Sequence, residues 1–234
     1  MELTGSLLGQ TQYKTMAIAV NTTLAFNNSG ATTTPSNTLN NVAGDCLVVG
    51  FIYDKNATIS LAQYNGVNMT HQQTVTMTGW VYKVSTYTLL SPATGSHTIN
   101  FTINTSSTAT LIGAVTYTGV STIESSNSGY ITTTGAQTQT VTTSVAGAGD
   151  WLVGVYNGAD VSTTSAGAGT TIRIGGNQTG MVDSNGTVSS GTPGLVINWG
   201  SLTGSGEGGA LSAVALKPPA AAVTVTPDNR MYFT

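Results

Sequence analysis

Apolar and polar residues alternate one for one through His97-Thr98-Ile99-Asn100-Phe101-Thr102-Ile103-Asn104. Successive strand side chains point to opposite faces, so Ile99, Phe101 and Ile103 form the buried side of a half-covered strand. His97, at the start of this run, reads as a residue of the solvent face. Leu195, Ile197 and Trp199 repeat the pattern in Leu195-Val196-Ile197-Asn198-Trp199. Three further runs, Leu47 to Tyr53, Leu111 to Tyr117 and Trp151 to Tyr156, are apolar on both faces. They read as central strands, or as strands lying against a partner. Turn chemistry separates the runs at Tyr64-Asn65-Gly66, Ser91-Pro92, Asp183-Ser184-Asn185-Gly186 and the glycines around 204–209. No stretch keeps a helical period beyond two turns. The expectation is an all-β chain, a large antiparallel β-sandwich of jelly-roll-like kind with extended N- and C-terminal arms.

The chain also carries a faint internal echo. Gly44-Asp45-Cys46-Leu47-Val48-Val49-Gly50 resembles Gly149-Asp150-Trp151-Leu152-Val153-Gly154-Val155, and Gly113-Ala114-Val115 resembles Ser212-Ala213-Val214. Two related units of similar strand order leave such a trace. The sandwich is expected over residues 21–218, because Pro218 and Pro219 cannot continue a ladder. Residues 1–20 are then an N-terminal arm with the first strand, and 219–234 a C-terminal arm. Apolar side chains in the arms invite association. Leu3, Leu7, Leu8 and Tyr13 at one end, with Val223, Val225, Met231, Tyr232 and Phe233 at the other, are therefore the candidate partner-binding residues.

Charge restricts the partners. Charged residues are 6% of the chain, against roughly 25% in an ordinary soluble domain. The net charge is −3, and six Lys and Arg residues cannot build the basic stripe that a phosphate backbone needs. No apolar run is long enough for a membrane-spanning helix. Nucleic acid and membrane are thus not expected as partners. Met1-Glu2-Leu3-Thr4-Gly5-Ser6 lacks a basic segment followed by an apolar one. Either export by a cleaved signal is not used or the signal has been removed, and the starting Met favours the former. The single Cys46 allows no internal disulfide and no cysteine-based zinc site. It reads as a small buried hydrophobe.

Chemical motifs fail on context. Gly204, Gly206 and Gly209 match the spacing of a dinucleotide fingerprint, but Pro218 stops the following segment before a helix can form. His71 and His97 have no partner at metal-ligand spacing. Asp183-Ser184-Asn185-Gly186 lacks the later glutamate of a calcium loop and reads as a tight turn. The acidic residues give no close pair along the sequence, and no nucleophile motif is present. No cofactor and no enzymatic activity are expected. Among the aromatics, Trp80, Tyr82, Tyr87 and Trp199 could form a sugar-stacking platform. Trp199 shares a face with Leu195 and Ile197 and reads as core, so Trp80 and Tyr82 are the sugar-stacking candidates.

Tyr64-Asn65-Gly66-Val67-Asn68-Met69-Thr70, Ser91-Pro92-Ala93-Thr94-Gly95-Ser96-His97-Thr98 and Gly113-Ala114-Val115-Thr116-Tyr117-Thr118-Gly119-Val120 together resemble a recurrent domain. It is the Thr/Gly-rich β-sandwich of tailed-phage virion proteins and bacterial extracellular proteins. Gly149-Asp150-Trp151-Leu152-Val153 and the run Ala210 to Pro218 extend the resemblance in the same order. It implies a fold and no catalytic residues. With two arms and no export signal, the expectation is a non-enzymatic virion structural protein, a phage capsid decoration or tail-accessory protein. Its partners would be other virion proteins or copies of itself. The alternatives are an extracellular or cell-surface adhesion or carbohydrate-binding module, whose partner would be cell-surface carbohydrate, and a self-assembling filament subunit.

Overall fold

A computed structural model describes residues 13–14, 17–107, 109–132, 135–145, 147–159, 161, 163–202, 208–220 and 222–223. The strands, in chain order, are β1 (Tyr13–Lys14), β2 (Ala19–Asn28), β3 (Ser36–Asn41), β4 (Cys46–Asp54), β5 (Ile59–Tyr64), β6 (Val67–Asn68) and β7 (Thr70–Thr76). They continue as β8 (Tyr82–Leu90), β9 (Gly95–Ile103), β10 (Leu111–Thr118), β11 (Thr122–Ile131), β12 (Gly135–Thr142) and β13 (Trp151–Gly158). The remainder are β14 (Thr164–Ala166), β15 (Thr171–Gly175), β16 (Thr179–Asp183), β17 (Gly194–Leu202), β18 (Gly209–Lys217) and β19 (Ala222–Val223). Every pairing is antiparallel. The protein is all-β, as the alternation predicts.

The strands fall into two halves of the same order. In the first half β2-β10-β4-β8-β7 form one sheet and β3-β9-β5-β6 the other. In the second half β11-β18-β13-β16-β15 and β12-β17-β14 repeat that arrangement. The sequence echo is true to register. Tyr117 lies opposite Cys46 and Val115 opposite Val48, while Leu216 lies opposite Trp151 and Val214 opposite Val153. The halves meet reciprocally: β7 lies against β11 and β15 against β2, β8 against β18 and β16 against β10. Such reciprocity is what a two-fold axis imposes on identical subunits. Here it relates two parts of one chain.

The outcome is a stack of four sheets with three apolar layers between them. Leu39, Phe51, Tyr64, Tyr87, Ile99 and Phe101 fill the first sandwich, and Leu152, Tyr156, Leu195, Ile197, Trp199 and Leu211 the second. Between the two five-stranded sheets runs a third layer, the seam, with Val48, Ile52, Val115 and Tyr117 facing Trp151, Val153, Val155 and Val214. The seam is why the doubly apolar runs are buried on both sides: β4 and β13 each serve two cores. Ile99, Phe101 and Ile103 are buried with less buried polar neighbours between them, and Leu195, Ile197 and Trp199 are buried with the less buried Val196 and Asn198 between them. Cys46 is buried on β4.

One strand assignment needs correction. His97 shares its parity with Ile99, Phe101 and Ile103, so it lies on the core side and not on the solvent side. Its ring meets Tyr64 edge-on at 5.7 Å, and its Nε2 lies 2.9 Å from the Thr94 carbonyl at the rim. Glycine sets the turns and the seam. Asn65 and Gly66 take φ of 50° and 77° in the β5–β6 hairpin, the left-handed pair that a two-residue loop asks for. Gly50 and Gly113 face each other across β4 and β10. A Cβ on Gly50 would come within 2.6 Å of Val155, and one on Gly113 within 2.7 Å of the Phe26 ring. The bare Gly50 lets Val155 of the second half approach, and the bare Gly113 makes room for the Phe26 ring of its own half.

Candidate functional site

The arm residues come first. Tyr13 and Val223 lie in β1 and β19, whereas Leu3, Leu7, Leu8, Val225, Met231, Tyr232 and Phe233 lie outside the described residues. The two arm roots pair with each other, Tyr13 opposite Val223 and Lys14 opposite Ala222. Both chain segments therefore leave the body at one place. Ala17 from the incoming segment and Pro218, Pro219 and Ala220 from the outgoing one line a single cavity of about 440 Å³. Gly119 lets the incoming segment pass close by: its φ is 71°, and a Cβ there would sit 2.4 Å from the Ala17 carbonyl oxygen. The Gly119 N–H is held by Asp45 Oδ2 at 2.6 Å.

The same pole brings together acidic residues that are distant in sequence. Asp150, buried at the start of β13, interacts with Glu124 of β11, and Lys217 pairs with Glu124 at 3.1 Å. Burial pushes the Asp150 carboxyl above its ordinary value, and the hydrogen bond with Glu124 adds to this. The Gly147 N–H and the Lys217 charge act the other way. No carboxyl pair was visible along the sequence, because a sheet ladder and a strand turn place these residues together.

A second site lies at the open end of the seam. A cleft of about 280 Å³ is lined by Trp80, Tyr82 and Leu111 from the first half and by Asn157, Gln178 and Thr179 from the second. The structure thus brings the two sugar-stacking candidates to one wall, each partly buried against the seam. A turn places Trp80, whose N–H donates to the Met77 carbonyl at 3.1 Å while Gly79 takes a φ of 92°. Tyr87 is not part of this platform: it is buried in the first core beside Phe101. Opposite the aromatics, the Asn157 Nδ2 donates to Thr179 Oγ1 at 2.6 Å. The Asn157 Oδ1 is buried and has no hydrogen-bond partner among the described residues. Leaving such a group unmatched costs about 1–3 kcal/mol.

No family model, curated protein or solved structure matches this chain.

A third feature, which no local motif announces, lies deeper in the seam. Asp183 is fully buried and accepts Arg173 Nε at 2.6 Å, the Asn185 N–H at 2.8 Å and the Tyr117 hydroxyl at 3.1 Å. Tyr117 belongs to the first half, so the carboxylate ties the halves together. Burial drives the Tyr117 phenol well up, and the neighbouring Asp183 charge drives it further. The bond to Asp183 likewise raises the Arg173 guanidinium. The turn Asp183-Ser184-Asn185-Gly186 is present, with Asn185 at φ 48°. Its first residue acts inward. Thr86 and Ser212 add a buried hydroxyl pair across the seam at 2.7 Å. These groups are saturated by one another and read as structural.

Proposed function

We propose that this chain is a non-enzymatic structural protein of a virion, a capsid decoration or tail-accessory protein attached through its terminal arms. The observation that carries the reading is the pairing of the arm roots. Because β1 pairs with β19, both arms issue from one pole, and the rest of the body is left to face away. A protein that must fix itself to a larger surface gains from such polarity. Strand addition or groove filling by the arms would supply the contacts.

The body suits the same role. Within each half the strand order follows two Greek keys, β2-β10-β4-β8 opposite β3-β9-β5-β6 in the first. We read each half as jelly-roll-like, with the β6–β7 segment passing from outer to inner sheet at the buried Met69. The nearly uncharged surface makes attachment depend on hydrogen bonds and apolar burial, which salt screens little. Immunoelectron microscopy of tailed-phage particles from lysates that contain the chain tests the proposal. Antibody against the body should label the particles, and a chain lacking residues 1–16 and 220–234 should leave them unlabelled. A chain found only free in the supernatant, with unlabelled particles, rejects it.

A further inference from the structure

The two halves differ where they should match, and the difference lies in the cleft. The register that aligns Cys46 with Trp151 also aligns Ile52 with Asn157. In the first half Ile52 lies opposite Val84 on one side and Leu111 on the other. In the second half Asn157 lies opposite Thr179 and Ala210. An apolar pair, Ile52 with Val84, is thus replaced by a hydrogen-bonded polar pair, Asn157 with Thr179. Buried amides are as a rule hydrogen-bonded, and among the described residues only Gln139 Nε2 and Thr143 Oγ1 share the unmatched state of Asn157 Oδ1. Here one oxygen stays unmatched within the protein, on a residue that lines the cleft facing Trp80 and Tyr82.

We propose that the seam cleft binds a single neutral sugar ring. The chemistry of the wall selects that ligand. Aromatic faces take the C–H surface of a pyranose, while the amide oxygen accepts one hydroxyl and the Thr179 hydroxyl and Gln178 side chain meet others. Among the described residues that line the cleft none is charged, so the wall they form suits a neutral ligand. The volume of about 280 Å³ is of the size of one sugar ring. The site is separate from the arm pole, and this proposal does not depend on attachment through the arms.

The test is titration of the full chain with glucose, galactose, N-acetylglucosamine, maltose and lactose, followed by tryptophan fluorescence and by amide resonances in NMR. At least one probe should bind with a millimolar Kd, the strength that one ring and few hydrogen bonds allow. It should shift the side-chain signals of Trp80 and Asn157. Asn157→Ile, which installs the residue found at the matching place in the first half, should weaken binding by about tenfold or more. Its Tm should be no lower than that of the native chain, because a buried orphan has been removed. Thr179→Val should weaken binding in the same direction, and it decides the matter if Asn157→Ile does not fold. Failure of every probe to move the Trp80 and Asn157 signals overturns the proposal. So does native-like affinity in both variants.

Discussion

The Phe101 ring stacks on Phe51 at 4.0 Å between centroids and meets Tyr87 edge-on at 5.3 Å. Those contacts join an outer sheet to an inner one, so Phe101 holds a layer together rather than a single strand. Phe101→Ala should destabilise the protein by about 3–5 kcal/mol, as a lost buried aromatic does. Asn100→Ala, on the other face of β9, should cost under about 0.5 kcal/mol. Trp199→Ala should match the Phe101 effect, since it empties the second core and strips Gln139 Oε1 of its 3.0 Å donor. Urea denaturation of the variants checks the order. Equal shifts for Phe101 and Asn100 would mean that β9 is rotated by one residue. Alternation at this level was legible because it is local: each side chain's face follows from its position in the strand. His97 was misread against that same rule, since a polar ring at a strand end can sit on the core side when a rim carbonyl accepts it. Asn157 escaped notice for the opposite reason. A lone Asn at the end of Trp151-Leu152-Val153-Gly154-Val155-Tyr156-Asn157 looks like the exit of a strand, and only its partners across the seam make it unusual.

Strands and their terminators followed from sequence, whereas their partners did not. β18 ends at Lys217 before Pro218 and Pro219, which have no N–H to extend its ladder with β11 and β13. β4 and β13 announced themselves as doubly buried, but whether the second face meets another sheet of the same chain or a neighbour is set by long-range register. The echoes around Asp45 and Asp150 and around Val115 and Val214 were the local traces of that arrangement. They could not say that the halves face each other. The arms follow the same logic. Among the described residues, β1 and β19 share the pairs Tyr13–Val223 and Lys14–Ala222 and add no strand to the four body sheets. Removing residues 220–234 should therefore leave the Tm of the body nearly unchanged, as differential scanning calorimetry would record, while removing attachment. A truncated chain that melts much earlier and still attaches would assign the tail to the core.

At the scale of the whole molecule, burial of neutral acids sets the response to pH. Burial is the leading cause that raises the phenols of Tyr53, Tyr64, Tyr87, Tyr117, Tyr130 and Tyr156, the last to about 12. The Cys46 thiol is pushed to about 12 by burial and by the Asp45 charge. Above their ordinary values the unfolded chain releases these protons while the folded chain retains them, so rising pH favours unfolding. Stability should be level from neutral pH to about pH 9 and fall as pH rises from about 10 toward 12. Asp150 acts in the same sense at the acid end: its folded carboxyl keeps its proton to higher pH, so acidification through that range favours the fold. Chemical denaturation between neutral and alkaline pH checks the profile, and a midpoint unchanged through about pH 11 would contradict it.

The seam decides whether the halves are two proteins in one chain or one protein in two parts. Each half has its own closed sandwich core, yet each inner sheet presents an apolar face that only the other half covers. Exposing Val48, Ile52 and Val115, or Val153, Val155 and Val214, would forfeit about 1.5–3 kcal/mol per large side chain. Faces of that kind belong to obligate interfaces, which behave like a domain core cut in two. Cross-seam polar contacts sharpen the match, because Tyr117 and Thr86 of one half meet Asp183 and Ser212 of the other. The covalent joint is short, running from Thr118 at the end of β10 to Thr122 at the start of β11. Co-expressed fragments 1–120 and 121–234 should thus assemble into a complex that co-purifies and melts cooperatively. Either fragment alone should aggregate or pair with a second copy of itself through the same face. Light scattering and calorimetry of the separate and combined fragments distinguish the outcomes. If each fragment stays monomeric, soluble and separately folded, then the seam is a contact between independent domains, and the internal two-fold is a record of duplication without a role in stability.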